Sequence, residues 1–247
     1  MLSEKWQRES SDGSWSAYNE TFSECYHSLK DGALSETIYK HITPAFEHWQ
    51  PLPSQIHILD ICFGLGYNTF ATIAFCIQHH FKGLLKIYTP EIDKKIFTKL
   101  LDFTYPEMFR ESLNICQILE TLGQDSRITR YDECLSHNME FCIELYKGDA
   151  LEYLQYFESD FFHIIYQDAF SPTKNPTLWS EEYFYKLFSL LKPQGILTTY
   201  SQSSPIRQNA IKAGFLVYDY QNPYVRGGSL MSKQTLNLVG LKAITAK

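Results

Sequence analysis

The chain has 247 residues, of which 44% are hydrophobic and 20% are charged, and its formal net charge is −6. This length and apolar content predict one well-filled domain with additions, and the acidic balance excludes a generic nucleic-acid binder that relies on overall positive charge. The N-terminus is too polar for a signal peptide, no apolar run has the length of a membrane span, and the cysteines form no C-x-x-C pair. We therefore expect a cytoplasmic protein with reduced thiols and no metal site.

The first part of the chain is predicted to be an N-terminal extension, residues 1–50, packed on a core domain of residues 51–247. Aromatic and polar residues alternate loosely from Gly13 to Ser28, which indicates a β-hairpin. Ala33 to Trp49 has helical spacing, and we expect that helix to break near Pro44.

The strongest local pattern follows directly. An apolar run from Ile56 to Ile61 predicts a buried strand, which Gly64 and Gly66 then interrupt. Tyr67 to His79 has apolar residues at helical spacing, and Leu84 to Thr89 is typical of a second strand. Strand, glycine turn, helix and strand make a βαβ unit, whose glycines let the backbone approach a nucleotide-like ligand closely.

Three side chains indicate which nucleotide this unit binds. Glu91, after the second strand, can accept both hydrogen bonds of a ribose diol. Thr69 stands where the dinucleotide fingerprint has its third glycine, so no pyrophosphate is expected. Asp60 precedes the glycines and suits a ligand whose amino-acid part carries an ammonium group. Together, these three positions favour S-adenosylmethionine. The alternative is that the glycines only turn a loop and Glu91 is a solvated surface acid.

Helices and strands alternate through the rest of the chain. Helices are predicted over Asp93–Leu101 with Asp93 as N-cap, 105–125, Ala150–Phe157, Trp179–Leu191 and Pro205–Ala213, and strands over Phe141–Tyr146, Phe161–Tyr166, Ile196–Tyr200, Phe215–Tyr220 and Thr235–Leu241. This alternation predicts an α/β fold with a doubly wound, mainly parallel sheet.

Acids follow several of these predicted strands, so they should collect at one edge of the sheet. Asp149 and Ala150 are well placed to bind an adenine amino group, although Asp149 can also cap the helix that starts at Ala150. Asp168 opens a loop that contains Phe170 and Pro172, a combination suited to holding an amine: the carboxylate accepts its hydrogen bond, the ring packs beside it and the proline stiffens the loop. The alternative is an Asx turn with Phe170 in the core.

The loop from Asp168 to Trp179 is similar to the Asp-Gly-Phe-x-Pro-x-x-Asn-Pro-x-x-Trp signature of the MnmC-type tRNA methyltransferases. The resemblance covers nearly the whole chain, at Asp12-Gly13-Ser14, Tyr26-His27-Ser28, Gly32-Ala33, Glu36-Thr37, Phe63 to Asn68, Gly148-Asp149-Ala150 and Arg226-Gly227. The family usually has glutamate at Asp60 and glycine at Cys62 and Ala169. Because Cys62 carries a Cβ, we expect it to shift the turn and weaken cofactor binding.

The resemblance implies a Rossmann-like, S-adenosylmethionine-dependent N-methyltransferase that converts the 5-aminomethyl group of the tRNA wobble uridine to 5-methylaminomethyl. It implies that Asp168 is catalytic. The implied cofactor-binding residues are Asp60, Phe63, Gly64, Gly66, Asn68, Glu91, Asp149 and Ala150. The implied substrate-binding residues are Tyr26, Phe170, Pro172, Lys174 and Asn175.

The same resemblance implies partners. These are the tRNA anticodon loop and a separate upstream enzyme, a flavin oxidoreductase or another aminomethyl-forming enzyme. Many family members carry a C-terminal flavin oxidoreductase domain, and a chain of 247 residues has no room for it, so we expect the stand-alone methyltransferase form. Lys174, Arg207 and Arg226 are candidates for phosphate contacts.

Two other functions stay open at this point. One is a polyamine aminopropyltransferase-like enzyme, whose small cationic substrate suits an acidic chain, although the loop lacks a second acid near Asp168. The other is a non-catalytic binding protein on the S-adenosylmethionine-dependent fold, with Cys62 marking a decayed cofactor site.

Overall fold

The computed structural model describes residues 6–135 and 138–246, so residues 1–5 of the predicted extension lie outside the described part. The chain begins with an antiparallel three-stranded sheet of β1 (Gln7–Glu9), β2 (Trp15–Asn19) and β3 (Glu24–Cys25), in that order. The predicted hairpin is therefore present as β2 and β3, and β1 adds a strand to it.

A continuous helical stretch follows, made of α1 (Ala33–Glu36), a π-helical segment (Thr37–Ile42) and α2 (Thr43–His48). The predicted break near Pro44 is wrong. Proline lies in the first turn of α2, where its missing N–H costs least. The irregularity is the wider π turn before it, in which the Thr43 N–H donates to the carbonyl of Ile38.

The predicted βαβ unit is present as β4 (Gln55–Ile61), α3 (Tyr67–Gln78) and β5 (Gly83–Glu91), with β4 and β5 parallel. Alternate residues of β4 face opposite sides of the sheet. Ile58 packs in the hydrophobic core that contains α3, whereas Leu59 packs in the core on the other face.

The remaining elements mostly follow the predicted alternation. They are α4 (Ile96–Leu100), α5 (Glu107–Ser112), α6 (Ile115–Leu122), β6 (Ile128–Leu135), β7 (Met139–Lys147), α7 (Ala150–Tyr153), β8 (Phe162–Gln167), α8 (Glu181–Leu190), β9 (Leu191–Thr199), α9 (Ser204–Lys212), β10 (Leu216–Tyr220), β11 (Gly228–Ser232) and β12 (Lys242–Ile244). Short 3₁₀ turns lie at Leu154–Tyr156 and Pro176–Trp179.

Several further elements differ from the sequence predictions. Strands β6 and β11 were not predicted; in β6, Arg130 and Asp132 are charged and exposed, as an edge strand tolerates. The predicted strand over Thr235–Leu241 is wrong: Val239 is fully exposed there, and the last strands are β11 and β12. Asp93 does not cap α4, which starts later, after Lys95; its carboxylate instead accepts the Lys95 N–H in a turn before the helix.

Among the described residues the main sheet has nine strands in the order β12-β10-β11-β9-β8-β4-β5-β7-β6. The run β9-β8-β4-β5-β7 is parallel, and the strands at both edges are antiparallel. This confirms the α/β fold and its parallel core. Asp60, Glu91, Asp149 and Asp168 lie at or just after the carboxyl ends of β4, β5, β7 and β8, at the edge where such sheets bind ligands.

Across the described residues, no helix is both long and apolar enough to cross a membrane.

Candidate active site

The turn after β4 has a left-handed backbone at three positions. The φ angles are +70° at Cys62, +54° at Gly64 and +79° at Gly66. A Cβ on Gly66 would lie 2.7 Å from the Phe70 ring and 2.8 Å from the Phe63 ring, so only glycine fits there. Cys62 holds its left-handed conformation despite its Cβ, which costs roughly 1 kcal/mol.

Glu91 fastens this turn to the end of β5. Its Oε2 accepts the Gly64 N–H at 2.8 Å, and its Oε1 accepts the Asp93 N–H at 2.8 Å. Burial raises the pKa of the Glu91 carboxyl to about 7. Each carboxylate oxygen has a second lone pair, so Glu91 can still accept hydrogen bonds from a diol.

Asn68, on the first turn of α3, joins two buried acids. Its Nδ2 donates to Asp168 Oδ2 at 2.9 Å and to Asp60 Oδ1 at 3.3 Å. The Thr69 hydroxyl donates to the other oxygen of Asp60 at 2.7 Å. Burial raises the pKa of Asp60 to about 7. The Asn68 Oδ1 atom is buried and has no hydrogen-bond partner within the described residues, so an acceptor is left for a ligand.

Two cavities meet at this edge of the sheet. The first, which we call the turn cavity, is a narrow cleft between the glycine turn and the N-terminal sheet. Its walls include Asn19, Phe22, Phe63, Gly64, Asn68, Glu91, Ile92 and Asn175. The second, which we call the polar cavity, has a volume of about 490 Å³, and its walls include Glu24, Asp31, Glu36, Lys40, Tyr200 and Arg226. Tyr26, His27, Asp168 and Phe170 line both cavities.

Asp168 therefore lies at the junction of the two cavities. Its Oδ2 accepts from Asn68, and its Oδ1 lies 3.5 Å from Nε2 of His41. Burial alone would raise the pKa of this carboxyl, but His41, His27 and the Asn68 amide outweigh burial and hold it below the usual value. Asp168 is therefore a carboxylate near neutral pH.

The loop after Asp168 is anchored at several points. The Trp179 indole N–H donates to the carbonyl of Phe170 at 2.8 Å, and the Tyr200 hydroxyl donates to the carbonyl of Ala169 at 3.0 Å. The Phe170 ring stacks on Phe22, with centroids 4.5 Å apart. These contacts hold the half-buried Phe170 against the N-terminal sheet, outside both hydrophobic cores.

Several predicted site residues lie outside the two cavities. Asp149 caps α7 through Oδ1, which accepts from the N–H groups of Leu151 and Glu152, and no hydrogen bond from a described residue reaches Oδ2. Ala150 is buried beside it. Asp60, Gly66, Pro172 and Lys174 do not line the cavities either.

The phosphate-contact candidate Arg207 is held elsewhere. Its guanidinium pairs with the Asp219 carboxylate and donates to the Ser229 hydroxyl. Arg226 does lie in the wall of the polar cavity.

Sequence reasoning missed two functional candidates on the π-helical segment, Lys40 and His41. Lys40 is buried, and its Nζ lies 2.7 Å from Glu36 and 2.8 Å from Asp31. Burial lowers its pKa, but the two carboxylates more than compensate and raise it. The i,i+4 spacing of Glu36 and Lys40 was a usable signal in the sequence, whereas nothing in the sequence linked His41 to Asp168.

Known proteins resemble this chain in sequence and in fold. A family described as S-adenosyl-L-methionine-dependent methyltransferase matches residues 105–225. The crystal structure of MnmC2 from Aquifex aeolicus superposes with a TM-score of 0.74 and 26% sequence identity, over 93% of this chain and 70% of that one. The chain carries an MnmC2-like methyltransferase domain. The chain is therefore an S-adenosylmethionine-dependent methyltransferase.

Curated relatives match over most of this chain. An uncharacterised protein of Methanocaldococcus jannaschii is 28% identical over 219 residues, which are 87% of this chain and 55% of that protein. The tRNA 5-methylaminomethyl-2-thiouridine biosynthesis bifunctional protein MnmC of Actinobacillus pleuropneumoniae is 25% identical over 81% of this chain. The chain spans 31% of that MnmC, so the match concerns part of the bifunctional protein.

The MnmC2-like site contains groups that fit S-adenosylmethionine. Gly64 lines the turn cavity, and the unpartnered Asn68 Oδ1 can accept a hydrogen bond from an ammonium group. Asp60 and Glu91 are buried carboxyls at the same edge of the sheet, and carboxylate oxygens can accept hydrogen bonds from ammonium and hydroxyl groups. No group of three or more His, Cys, Asp or Glu side chains that could hold a metal occurs among the residues described.

The left-handed backbone at Cys62 gives a direct test of strain in the turn. Cys62→Ala keeps a Cβ in that conformation, whereas Cys62→Gly removes it. We expect the glycine variant to have the larger free energy of unfolding, by about 1 kcal/mol, in urea denaturation. Cys134, exposed on β6, is the control position, where alanine should be the more stable of the pair. Alanine equal to or above glycine at position 62 would contradict strain there.

Proposed function

We propose that this methyltransferase converts the 5-aminomethyl group of the tRNA wobble uridine to 5-methylaminomethyl. The observation that carries the proposal is the position of Asp168, an ionised carboxylate in the wall shared by the turn cavity and the polar cavity. A group at that junction can face the cofactor on one side and an amine on the other. The MnmC relatives, whose names specify 5-methylaminomethyl-2-thiouridine, support the substrate.

In this proposal the cofactor lies along the turn cavity. Glu91 would accept hydrogen bonds from the ribose hydroxyls. Asp60 and the Asn68 Oδ1 would accept them from the ammonium group, and the Asp149 Oδ2 would accept one from the adenine amino group. Ile92, an exposed apolar side chain in the cavity wall, packs against the flat base. When bound, S-adenosylmethionine supplies a methyl group activated by its sulfonium.

The amine enters from the polar cavity and meets Asp168. An alkyl ammonium has a pKa of about 10.4, so it must lose a proton before its nitrogen is nucleophilic. The pKa of Asp168 is below its usual value, which makes it a weak base; its main task is to hold and orient the amine. Lys40 pairs with Asp31 and Glu36, but with Glu24 and Asp168 the acids in this cavity wall still outnumber the cations Lys40 and Arg226, which favours a cationic substrate over an anionic one.

The uridine reaches this cavity from an anticodon loop, where bases can be presented unstacked. Phe170 and Tyr26, which line both cavities, provide aromatic surface for the uracil, with Pro172 and Asn175 shaping the loop. Lys174 and Arg226 are the proposed phosphate contacts. Residues up to 50 form the extension that covers the core domain, and a separate enzyme supplies the aminomethyl group.

A second candidate function is supported by one observation. The loop after Asp168 lacks a second acid, but the fold brings Glu24 into the polar cavity, where Asp31 and Glu36 pair with Lys40, and a second carboxylate beside Asp168 suits a polyamine. Parallel assays separate the two: undermodified tRNA with S-adenosylmethionine, followed by mass spectrometry of the nucleosides, and putrescine or spermidine with decarboxylated S-adenosylmethionine. A methylated wobble nucleoside supports the first function, and an aminopropylated amine supports the second.

Glu91→Ala tests the cofactor assignment. Because a hydrogen bond to a charged group contributes about 1.5–3 kcal/mol, we expect the dissociation constant for S-adenosylmethionine to rise at least about tenfold in calorimetry. Glu140→Ala, an exposed glutamate on the neighbouring strand β7, is the matched control and should bind like the wild type. Unchanged affinity in a folded Glu91→Ala protein would contradict the assignment of Glu91 to the ribose.

The raised pKa values of Asp60 and Glu91, both about 7, predict a pH dependence. Both carboxyls are largely protonated below that pH, and the proposed contacts need them ionised. Affinity should therefore be roughly tenfold lower at pH 6 than at pH 8 for each group that must release a proton. Calorimetry in buffers of different ionisation enthalpy measures that release. Asp60→Asn should bind more weakly at pH 8 and release fewer protons; unchanged release in that variant argues against the ammonium contact.

Asp168→Asn tests the chemistry. The variant keeps the shape of the side chain and loses its charge, so cofactor affinity should stay within a few-fold while turnover falls by about 10²–10⁴. Raising the pH should restore part of the rate, because more of the substrate amine is then neutral. Asp132→Asn, on the edge strand β6, is the control. A purely structural Asp168 would instead show a lower melting temperature, weaker cofactor binding and a loss of rate that does not respond to pH.

A further inference from the structure

His41 is a completely buried side chain on the π-helical segment Thr37–Ile42. Its Nδ1 lies 2.8 Å from the hydroxyl oxygen of Thr198 on β9, and its ring meets Tyr166 edge-on at 5.7 Å. Its Nε2 lies 3.5 Å from Asp168 Oδ1. No group in the described residues forms a hydrogen bond of good geometry with Nε2, and a shift of a few tenths of an ångström would make one to Asp168.

The surroundings of His41 decide where its proton lies. If the Thr198 hydroxyl donates to Nδ1, the neutral ring carries its proton on Nε2, directed at the carboxylate. The opposite tautomer would place the Nε2 lone pair against the negative Asp168 oxygen, which is unfavourable. Both the neutral Nε2–H form and the imidazolium therefore present an N–H to Asp168.

We propose that His41, held by Thr198, is a positioning residue for Asp168. Its Nε2–H holds Oδ1 while the Asn68 amide holds Oδ2, so the carboxylate keeps one orientation and its negative charge. The inference rests on the proposed function, because it gives the oriented carboxylate an amine to hold. Hydrogen bonds of this kind are often long without ligand and shorten in the substrate complex.

The segment that carries His41 supports this role. Single π turns inside helices occur frequently at functional sites. Other titratable groups also face the ring: Asp60 at the end of β4, His27 in the segment before α1, and Tyr166 on β8, with Lys40 adjacent on the same helix. Asp168 is the group that lies directly opposite Nε2, and its pKa is held down by His41.

The experiment compares two pairs of variants in steady-state assays across a pH series. His41→Phe removes the donor and should lower kcat about ten- to hundredfold, the equivalent of one hydrogen bond to a charged group, with cofactor affinity unchanged. With the cofactor saturating at every pH, so that Asp60 and Glu91 do not set the profile, the acid limb of kcat/KM for the amine substrate should move to higher pH, because Asp168 loses a donor that favours its charged form. His41→Gln keeps an N–H within reach and should recover much of the rate.

The second pair acts through Thr198. Thr198→Val removes the hydroxyl that orients the ring and should lower kcat several-fold, whereas Thr198→Ser should behave like the wild type. Thr129→Val is the matched control, because it removes a buried threonine hydroxyl that donates to the Leu122 carbonyl, far away on β6. If His41→Phe does not fold, the comparison of Thr198→Val with Thr198→Ser tests the proposal.

Three results would overturn the inference. They are an acid limb of kcat/KM that does not move in His41→Phe, a His41→Gln variant as slow as His41→Phe, and a Thr198→Val variant no slower than Thr129→Val. An activity-independent measurement separates this inference from the proposed function. Long-range ¹H–¹⁵N spectra of histidine-labelled protein should show His41 protonated on Nε2 and perturbed by Asp168→Asn. A His41 ring protonated on Nδ1 alone overturns the inference, whereas an inactive wild type with the expected spectrum overturns only the proposed function.

Discussion

One amide group ties the active site together: the Asn68 Nδ2, which donates to both Asp60 and Asp168. Two buried carboxylates this close repel each other, and a shared donor reduces that repulsion without adding a charge. The two acids then differ. Burial raises the pKa of Asp60, whereas His41 and Asn68 hold the pKa of Asp168 down. Neighbouring side chains, more than sequence position, give these two acids their different chemistry.

The sequence carried enough information for the parallel core and for the edge where ligands bind. Buried strands leave continuous apolar runs, as in Ile56–Ile61, and the acids that follow such strands must meet at one edge. Strands at the edge of the sheet were harder to predict, because they are less buried and need no continuous apolar run. Strand β6 is stabilised by one neighbouring strand and accepts exposed charges, so its sequence has no apolar run. The segment Thr235–Leu241 has the alternation of a strand, but it pairs with no strand among the residues that the structure describes.

The site residues also differ in how well the sequence could predict them. Glu91, Asp60 and the glycine turn follow one another within a single βαβ unit, so local spacing was sufficient to group them. The polar cavity is built from β3, the helical stretch from Ala33 to His48 and the segments after β8 and β9. Its residues are far apart in the sequence, and only the folded chain brings Lys40 into this wall and His41 to Asp168. Long-range packing of this kind leaves no periodic signal to detect.

The π-helical segment also bears on how this site tolerates change in chain length. A π turn holds one more residue than the α-helical turn it replaces. Deleting one residue from Thr37–Ile42 would therefore restore a regular helix with α1 and α2 still in register, because the wide turn absorbs its extra residue locally. The change would fall on the π turn itself, in which Lys40 and His41 lie. The extra residue is thus not needed to keep the two flanking helices packed on the sheet; its effect is on the side chains of the turn, among them His41 opposite Asp168.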